Sequence, residues 1–336
     1  MRVLMTPEEI DADRGRWKQL RRRGVTASEI GAIMRVEHAF GSPSRSYWEK
    51  VAGDEQPDTG SMEMGRWLEP FVAERFAVTF PGLDVERGPL ACHGKRRWQM
   101  CTFDLLAWEQ RTSSGRPVGG RTLIPVQIKT TATWAGWGPA PHGDIPPAYL
   151  AQCLYEDDIA AVERSILAAI NRGSGEIRYY SILLDADAYD DIEAMRAAGL
   201  QFLDEHVRAL RPPLPDWRPA TRDALKRVYA GVVPEAISFP NAARRRLLAA
   251  KRALTEAQRR YDAAENAIRA GLRTGTEAVD ADGTVFATRS VYPHRHISAE
   301  LLRLHYPEAA EACTVTGLAP VDKLTVKFPK EDDDGD

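Results

Sequence analysis

The chain has 336 residues, 43% of them hydrophobic and 28% charged, with a net charge of -3. That composition is globular and the length exceeds one modal domain, so a large domain plus a smaller one is expected. It excludes a disordered chain, and the near-neutral balance excludes binding of nucleic acid through the overall field, leaving local basic patches or metals to do it.

No apolar run reaches membrane-span length, and Met1-Arg2-Val3-Leu4-Met5 is too short for a secretory signal, so a cytoplasmic location without a membrane partner is expected. Cys92, Cys101, Cys153 and Cys313 are scattered without CxxC spacing. This argues against a zinc site, an iron–sulfur cluster or a disulfide framework.

In chain order, residues 14–23 read as a basic amphipathic helix running into Gly24-Val25-Thr26-Ala27-Ser28-Glu29-Ile30-Gly31, where Thr26 or Ser28 caps a second helix. Arginines ahead of two hydroxyls at a helix N-terminus suit a phosphate, because backbone N–H groups, the helix dipole and guanidinium forks all favour an anion there. A solvated face followed by an ordinary cap is the competing account. Residues 65–76 have apolar side chains at helical spacing (Trp67, Phe71, Val72, Phe76) and predict a buried helix with Glu69 near its start.

Residues 98–107 read as a strand with Asp104 near its end, and 109–121, rich in Gly, Ser and Arg, as a surface hairpin insert. The apolar run Ile124-Pro125-Val126-Gln127-Ile128-Lys129 is a second strand. Trp134 and Trp137 follow, read as core packing under a loop in preference to base stacking. After a Pro/Gly-rich loop, 148–156 predict a helix on which Tyr149, Gln152 and either Tyr155 or Glu156 share a face. Residues 164–171 and 177–184 read as paired strands joined at Gly173-Ser174-Gly175.

Pro212-Pro213-Leu214-Pro215-Asp216-Trp217 is a stiff boundary, dividing domains 1–217 and 218–336. In the second, 241–270 form a long helix with Leu247, Leu254, Tyr261 and Ile268 every seven residues and Ala250, Ala257 and Ala264 three after the first three. That spacing predicts close pairing with another helix, in the same chain or a partner subunit. Its Arg and Lys clusters read as a solvated face before a DNA-tracking one. Residues 283–291 read as a strand and 331–336 as a frayed acidic tail.

The chemistry gathers at Asp104 and Gln127-Ile128-Lys129. On a strand Gln127 and Lys129 point to one face while Ile128 points into the core and leaves its carbonyl at the strand edge. Asp104 on an adjacent strand then completes an oxygen cage suited to Mg²⁺ or Mn²⁺. An acid followed by polar-x-Lys is how nucleases of the PD-(D/E)xK type place metal ligands and a lysine together. Phosphodiester hydrolysis needs such a site, with one metal or two about 3.5–4 Å apart generating hydroxide and neutralising the leaving oxygen. Alone, the pattern is of low specificity.

The colinear order is more specific. Gly24-Val25-Thr26-Ala27-Ser28-Glu29-Ile30, Gly65-Arg66-Trp67-Leu68-Glu69, Cys101-Thr102-Phe103-Asp104, Val126-Gln127-Ile128-Lys129, Trp134, Ile145-Pro146, Tyr149-Leu150-Ala151-Gln152, then Phe202 and His206-Val207 follow one another with sensible gaps. Over roughly residues 10–217 this resembles the YqaJ-like viral recombinases, the lambda-exonuclease type.

The resemblance implies an α/β fold: a restriction-endonuclease-like core, a central mixed sheet flanked by helices, with a helical C-terminal extension. It implies Asp104, Gln127, the Ile128 carbonyl and Glu69 as ligands of two Mg²⁺ or Mn²⁺ ions, and Lys129 beside the attacking water. Gln152 orients the strand through its phosphate, and Arg22, Arg23, Thr26 and Ser28, with Tyr149, receive the 5′-phosphate end. The implied activity is a Mg²⁺-dependent exonuclease that digests one strand of linear duplex DNA, 5′ to 3′, in a bacterial or phage-infected cell. Its product strand passes to a single-strand annealing protein, and a trimeric homo-oligomer is implied. A degenerate nuclease fold that holds DNA ends without cutting, and a nuclease serving defence or spacer processing, are the alternatives.

Three positions depart from the family pattern. Gln127 stands where a carboxylate is usual, removing one unit of ligand charge while keeping an amide oxygen. Leu105 follows Asp104 in place of a glycine, and Leu154 stands where some relatives have a second glutamine.

Overall fold

The computed structural model describes residues 1–54, 57–113, 116–231, 234–292 and 297–313, with the side chains of all of these except 111–119. The acidic tail expected over 331–336 lies outside the described residues. The chain divides into two units, Met1–Val232 and Val233–Asp336.

The first unit opens with β1 (Arg2–Met5), α1 (Pro7–Ala12) and α2 (Arg14–Arg21), followed by β2 (Val25–Thr26), α3 (Ala27–Ile33) and α4 (Pro43–Val51). The turns between them carry their own stop and start signals. Thr6 and Glu9 form a capping box on α1, and the Asp13 carboxylate accepts from the Arg16 N–H at 2.8 Å to start α2. At α3 the Glu29 carboxylate accepts from the Thr26 N–H at 2.8 Å.

Next comes α5 (Gly60–Thr79), longer than its apolar pattern implied. Val72 and Phe76 are fully buried, whereas Trp67 and Phe71, expected on the buried face, are 70% and 47% exposed. The sheet receives the row of Leu68, Val72 and Phe76, four residues apart, with Ala73 beside it, and Trp67 and Phe71 fall on the far side of that stripe. Glu69 therefore lies mid-helix, outside the first turn where the dipole would favour it.

The remaining strands are β3 (Leu83–Arg87), β4 (Leu90–Cys92), β5 (Gln99–Thr102), β6 (Leu105–Ser113) and β7 (Arg116–Thr131). After α6 (Pro147–Ala160) come β8 (Arg164–Asn171), β9 (Ile177–Leu183) and α7 (Ala186–Phe202), a π-helical turn over Leu203–Arg208, and α8 (Pro219–Val228). The strand expected over 98–107 is two strands, β5 and β6, in different sheets, with Asp104 in the joint. The insert over 109–121 is a hairpin, as expected, but one made by direct continuation of β6 and β7.

A five-stranded mixed sheet runs β3-β6-β7-β8-β9, antiparallel except where β7 and β8 lie parallel. A four-stranded sheet, β1-β4-β5-β2, stands beside it. The five-stranded sheet is covered on both faces. Val72 and Phe76 of α5 pack on Leu105, Val126 and Ile128, while Leu154, Tyr155 and Ile159 of α6 pack on Leu167, Ala169 and Tyr180 with α3 and α7. This is the α/β core expected: a mixed sheet between helices, with further helices C-terminal to it. Buried on both faces, β8 carries the unbroken apolar run Ile166-Leu167-Ala168-Ala169-Ile170, whereas β7 breaks the pattern with Gln127 and Lys129.

The first unit continues beyond the proline-rich segment 212–217. Arg227 of α8 pairs with Asp54 at 2.8 Å and Tyr229 meets Trp48 edge-on at 5.8 Å. A division at 217 would cut through these contacts.

The second unit consists of α9 (Asn241–Leu272), an antiparallel pair β10 (Glu277–Val279) and β11 (Val285–Thr288), then α10 (Ala299–His305) and α11 (Pro307–Ala312). The expected long helix is present. The strand expected over 283–291 is shorter and pairs with β10, which the sequence pattern did not mark.

Candidate functional site

Asp104 occupies the passage from the four-stranded to the five-stranded sheet. The neighbouring turn runs so close that a Cβ on Gly88 would lie 2.3 Å from the Phe103 Cβ, so only glycine fits there. The Gly88 N–H donates to the Asp104 carbonyl at 3.0 Å and pins the turn. The Asp104 carboxylate then faces β7, where Oδ2 accepts the Ile128 N–H at 2.7 Å and the Gln127 side-chain amide.

Strand alternation distributes β7 as expected. Ile128 is buried under α5, and Gln127, 3% exposed, turns to the opposite side toward α6. There the Gln152 amide donates to Gln127 Oε1 at 3.0 Å and to Glu156 Oε1 at 2.9 Å. The Asp104–Gln127–Gln152–Glu156 row is one connected hydrogen-bond chain. Of the two residues offered to share the face of Tyr149 and Gln152, it is Glu156 that does so; Tyr155 donates on the other side to the Val25 carbonyl at 3.3 Å.

Acid crowding marks the site. Burial raises the Asp104 pKa, with Lys129 and the Ile128 N–H pulling it back. Glu69 lines the cleft with its surface open to solvent, yet desolvation by the cleft wall and then the Asp104 carboxylate push its pKa up to about 7. Burial, then Asp104, raise Glu156 well above the carboxylate range. Lys129 opposes all three rises, so several acids share one lysine.

These residues suit a hard divalent cation. Asp104, the Ile128 carbonyl, the Gln127 amide and Glu69 offer oxygen donors only. The Gln127 amide nitrogen lies 3.3 Å from the Ile128 carbonyl while donating to Asp104, so a positively polarised NH₂ stands between two oxygens that could each hold a cation. A half-turn of the amide presents its oxygen to the same point. Among the described residues no three His, Cys, Asp or Glu side chains gather as a metal site. The set therefore depends on its amide and carbonyl oxygens.

The floor of a cleft of about 1220 Å³ includes Glu69, Ile128, Lys129, Tyr149 and Gln152. Arg21, Arg35, Arg45, Arg172 and Arg218 stand around it. The Lys129 ammonium lies 5.7 Å from the Tyr149 ring centre, and Phe40, 75% exposed, stacks on Tyr149 at 6.0 Å. Trp134 and Trp137 pack edge-on at 5.7 Å against the core, and Trp134 donates to Glu176 at 2.8 Å, which is the packing role expected of them.

The phosphate segment is rearranged relative to expectation. Arg21 gathers with the two hydroxyls, donating to Ser28 Oγ at 2.9 Å and Thr26 Oγ1 at 3.4 Å while stacking on Trp17 at 4.4 Å. Arg22 instead reaches the Gly53 carbonyl at 3.5 Å, and Arg23 is exposed beyond the helix end. Thr26 is buried and spends its hydroxyl on Glu29, leaving Ser28 as the open hydroxyl. Helical phase explains the difference: Arg21 closes α2 on the Trp17 face, and the next two residues have left the helix.

Residues 16–160 match the model for the YqaJ-like viral recombinase domain. The matched span contains Arg21, Glu69, Asp104, Gln127, Lys129 and Gln152. An alkaline exonuclease from Laribacter hongkongensis is 19% identical, aligned over 58% of this chain and 95% of its own, with a TM-score of 0.44. A phage related exonuclease from Haemophilus somnus 129PT is 10% identical over 56% and 96%, with a TM-score of 0.37. No curated protein matches the chain. No described helix is long and apolar enough to cross a membrane.

Two residues of the cleft carried little signal in the sequence: Arg21 is one arginine in a basic run and Phe40 is an isolated aromatic. Glu156, offered for the Tyr149 and Gln152 face, begins the acidic triplet Glu156-Asp157-Asp158. The structure buries that triplet, with Asp157 accepting from Ser165 at 2.8 Å and Asp158 paired with Arg96 and Arg196.

Proposed function

We propose that this protein is a divalent-metal-dependent deoxyribonuclease that digests linear duplex DNA from its ends, 5′ to 3′, in recombination by single-strand annealing. The observation that carries the reading is that Glu69 and Lys129 line one arginine-rimmed cleft while the Asp104 carboxylate, bound to the Ile128 N–H behind it, acts electrostatically on both, all within the span that matches the YqaJ-like model.

Asp104, the Ile128 carbonyl and the Gln127 amide oxygen would hold one Mg²⁺ or Mn²⁺, and Glu69 would serve a second. The bound metal supplies an activated water and neutralises charge on the departing oxygen. Lys129, partly shielded against Tyr149, places a positive charge beside the scissile phosphate, where low local dielectric strengthens it. Gln152 donates to Gln127 Oε1, a contact that the half-turn presenting this oxygen to a cation would exchange, and Arg21 with Ser28 forms a guanidinium-and-hydroxyl pair suited to a terminal phosphate.

Incubating end-labelled linear and covalently closed circular duplexes with Mg²⁺ or Mn²⁺ tests this. Linear DNA should be shortened from its 5′ ends and circles spared. A second reading, DNA-end binding without cleavage, is favoured by the Gln127 amide nitrogen standing between Asp104 and Ile128. Retention of linear DNA with no cleavage at any metal concentration would select it.

A further inference from the structure

Within the second unit α9 is continuous over 32 residues and buries none of them. It holds eight Arg and Lys against three Asp and Glu, a balance of +5 in a chain whose total is -3, so the rest of the chain carries -8. The three acids are engaged inside the helix: Glu256 pairs with Arg260 at 3.1 Å, Gln258 donates to Asp262 at 2.7 Å, and Glu265 pairs with Arg269. Arg244, Arg245, Arg246, Arg252 and Arg259 are exposed, and none of them has an ion pair among the described residues.

Helical phase sorts these charges. At about 100° per residue, Arg245, Arg252 and Arg259 fall within about 20° of one line and span about 21 Å along the axis. Leu247, Leu254 and Tyr261 follow each by two residues, about 200° round, and so line the opposite side. Burying that apolar side in a lipid surface would turn the arginine row away from the headgroups. A polymer of phosphates suits the row better. Seven of the eight basic residues are arginine, the side chain whose fork meets phosphate oxygens two at a time. Duplex DNA presents a charge about every 1.7 Å of its axis, so arginines about 10.5 Å apart each find a phosphate within reach.

We propose that the Arg245, Arg252 and Arg259 row of α9 binds the phosphate backbone of duplex DNA, without regard to base sequence. The inference rests on the proposed function, which makes duplex DNA the substrate, and adds to the cleft a contact made by the second unit.

Fluorescence anisotropy of the full chain with a labelled linear duplex in EDTA reads binding without cleavage. Replacing the row by Arg245→Gln, Arg252→Gln and Arg259→Gln together should weaken binding and flatten its dependence on salt. Three lost phosphate contacts remove about 2.7 from the slope of log affinity against log salt. Between about 50 and 200 mM salt the wild type should therefore lose roughly 40-fold more affinity than the triple variant. Arg260→Gln with Arg269→Gln, which removes two ion-paired arginines, should leave the slope unchanged. Circular dichroism checks that helix content is kept, since glutamine is close to arginine as a helix former. These results together with no cleavage in Mg²⁺ would support the row and sink the nuclease reading alone. Equal salt slopes for the wild type and the triple variant would overturn the proposal, as would an equal loss from the Arg260 and Arg269 pair. So would phosphatidylglycerol vesicles that the triple variant no longer binds while its hold on the duplex is unchanged.

Discussion

Gln127 donates its side-chain amide to the Asp104 carboxylate, and that contact stands where two carboxylates would otherwise repel. Replacing the amide by a second acid removes a donor and adds a charge. Gln127→Glu should therefore lower the metal-free melting temperature, a cost of about 1–3 kcal/mol, and enlarge the upward shift on adding Mn²⁺. The Mg²⁺ concentration for half-maximal cleavage should fall. Thermal melts with and without metal check both halves, and an unchanged Mn²⁺ response would remove Gln127 from the ligand set.

Asp104 and Lys129 are expected to be indispensable for cleavage. Asp104→Asn keeps an oxygen for the Ile128 N–H, and Lys129→Met keeps the aliphatic stem beside Tyr149, so both variants should fold. Each should lose about 10²–10⁴-fold in the rate of nucleotide release from linear duplex DNA. Circular dichroism controls for folding. Wild-type release by either variant would place the chemistry elsewhere.

Much of this site was legible because strand alternation and motif order are local properties. The Gln127/Ile128/Lys129 alternation, the Tyr149–Gln152 face and the β8–β9 pair all follow from neighbours within a few residues. What depended on tertiary placement was not legible. Which arginine of three meets Ser28 depends on where α2 ends, and which apolar row of α5 is buried depends on the angle at which it crosses the sheet. Burial of the Glu156-Asp157-Asp158 triplet required Ser165, Arg96 and Arg196 to arrive from other elements, beside Gln152 of the same helix.

Arg21 should govern recognition of the DNA end. Arg21→Ala removes the guanidinium beside Ser28 and should reduce the preference for 5′-phosphorylated over 5′-hydroxyl ends by about 10–100-fold. Arg23→Ala, lying beyond the helix end, should leave that preference intact. Competition between the two end types on otherwise identical duplexes distinguishes the variants. Equal loss from both would return the role to the basic run as a whole.

Metal affinity should rise with pH. Glu69, with its pKa pushed up to about 7, and Asp104, raised by burial, hold protons that a cation must displace. Below about pH 7 affinity should climb by up to about tenfold per pH unit, then level off once Glu69 is ionised. Glu69→Gln should lower affinity and flatten the profile near neutrality. Calorimetric Mn²⁺ titrations from pH 6 to 8.5 read this directly, and a flat wild-type profile would contradict it.

Asp157 should make the fold less stable in alkali. Its carboxyl is fully buried, Oδ2 accepts from Ser165 at 2.8 Å, and among the described residues Oδ1 has no partner. Burial pushes its pKa up to about 8 from an ordinary value of 3.8. The folded chain therefore keeps a proton that the unfolded chain has already lost between about pH 4 and pH 8. Stability from this group is fully present at the acid end of that window and falls by about 1.4 kcal/mol per unit as pH rises through it. Asp157→Asn mimics the protonated carboxyl at every pH. At pH 5, about one unit into the window, the variant should melt a few degrees above the wild type; at pH 8, after a loss of about 5 kcal/mol, it should melt roughly 10–20 °C higher. Melting temperatures across pH 5–9 for the two proteins measure the difference, and parallel curves would show that Asp157 is already ionised within the fold.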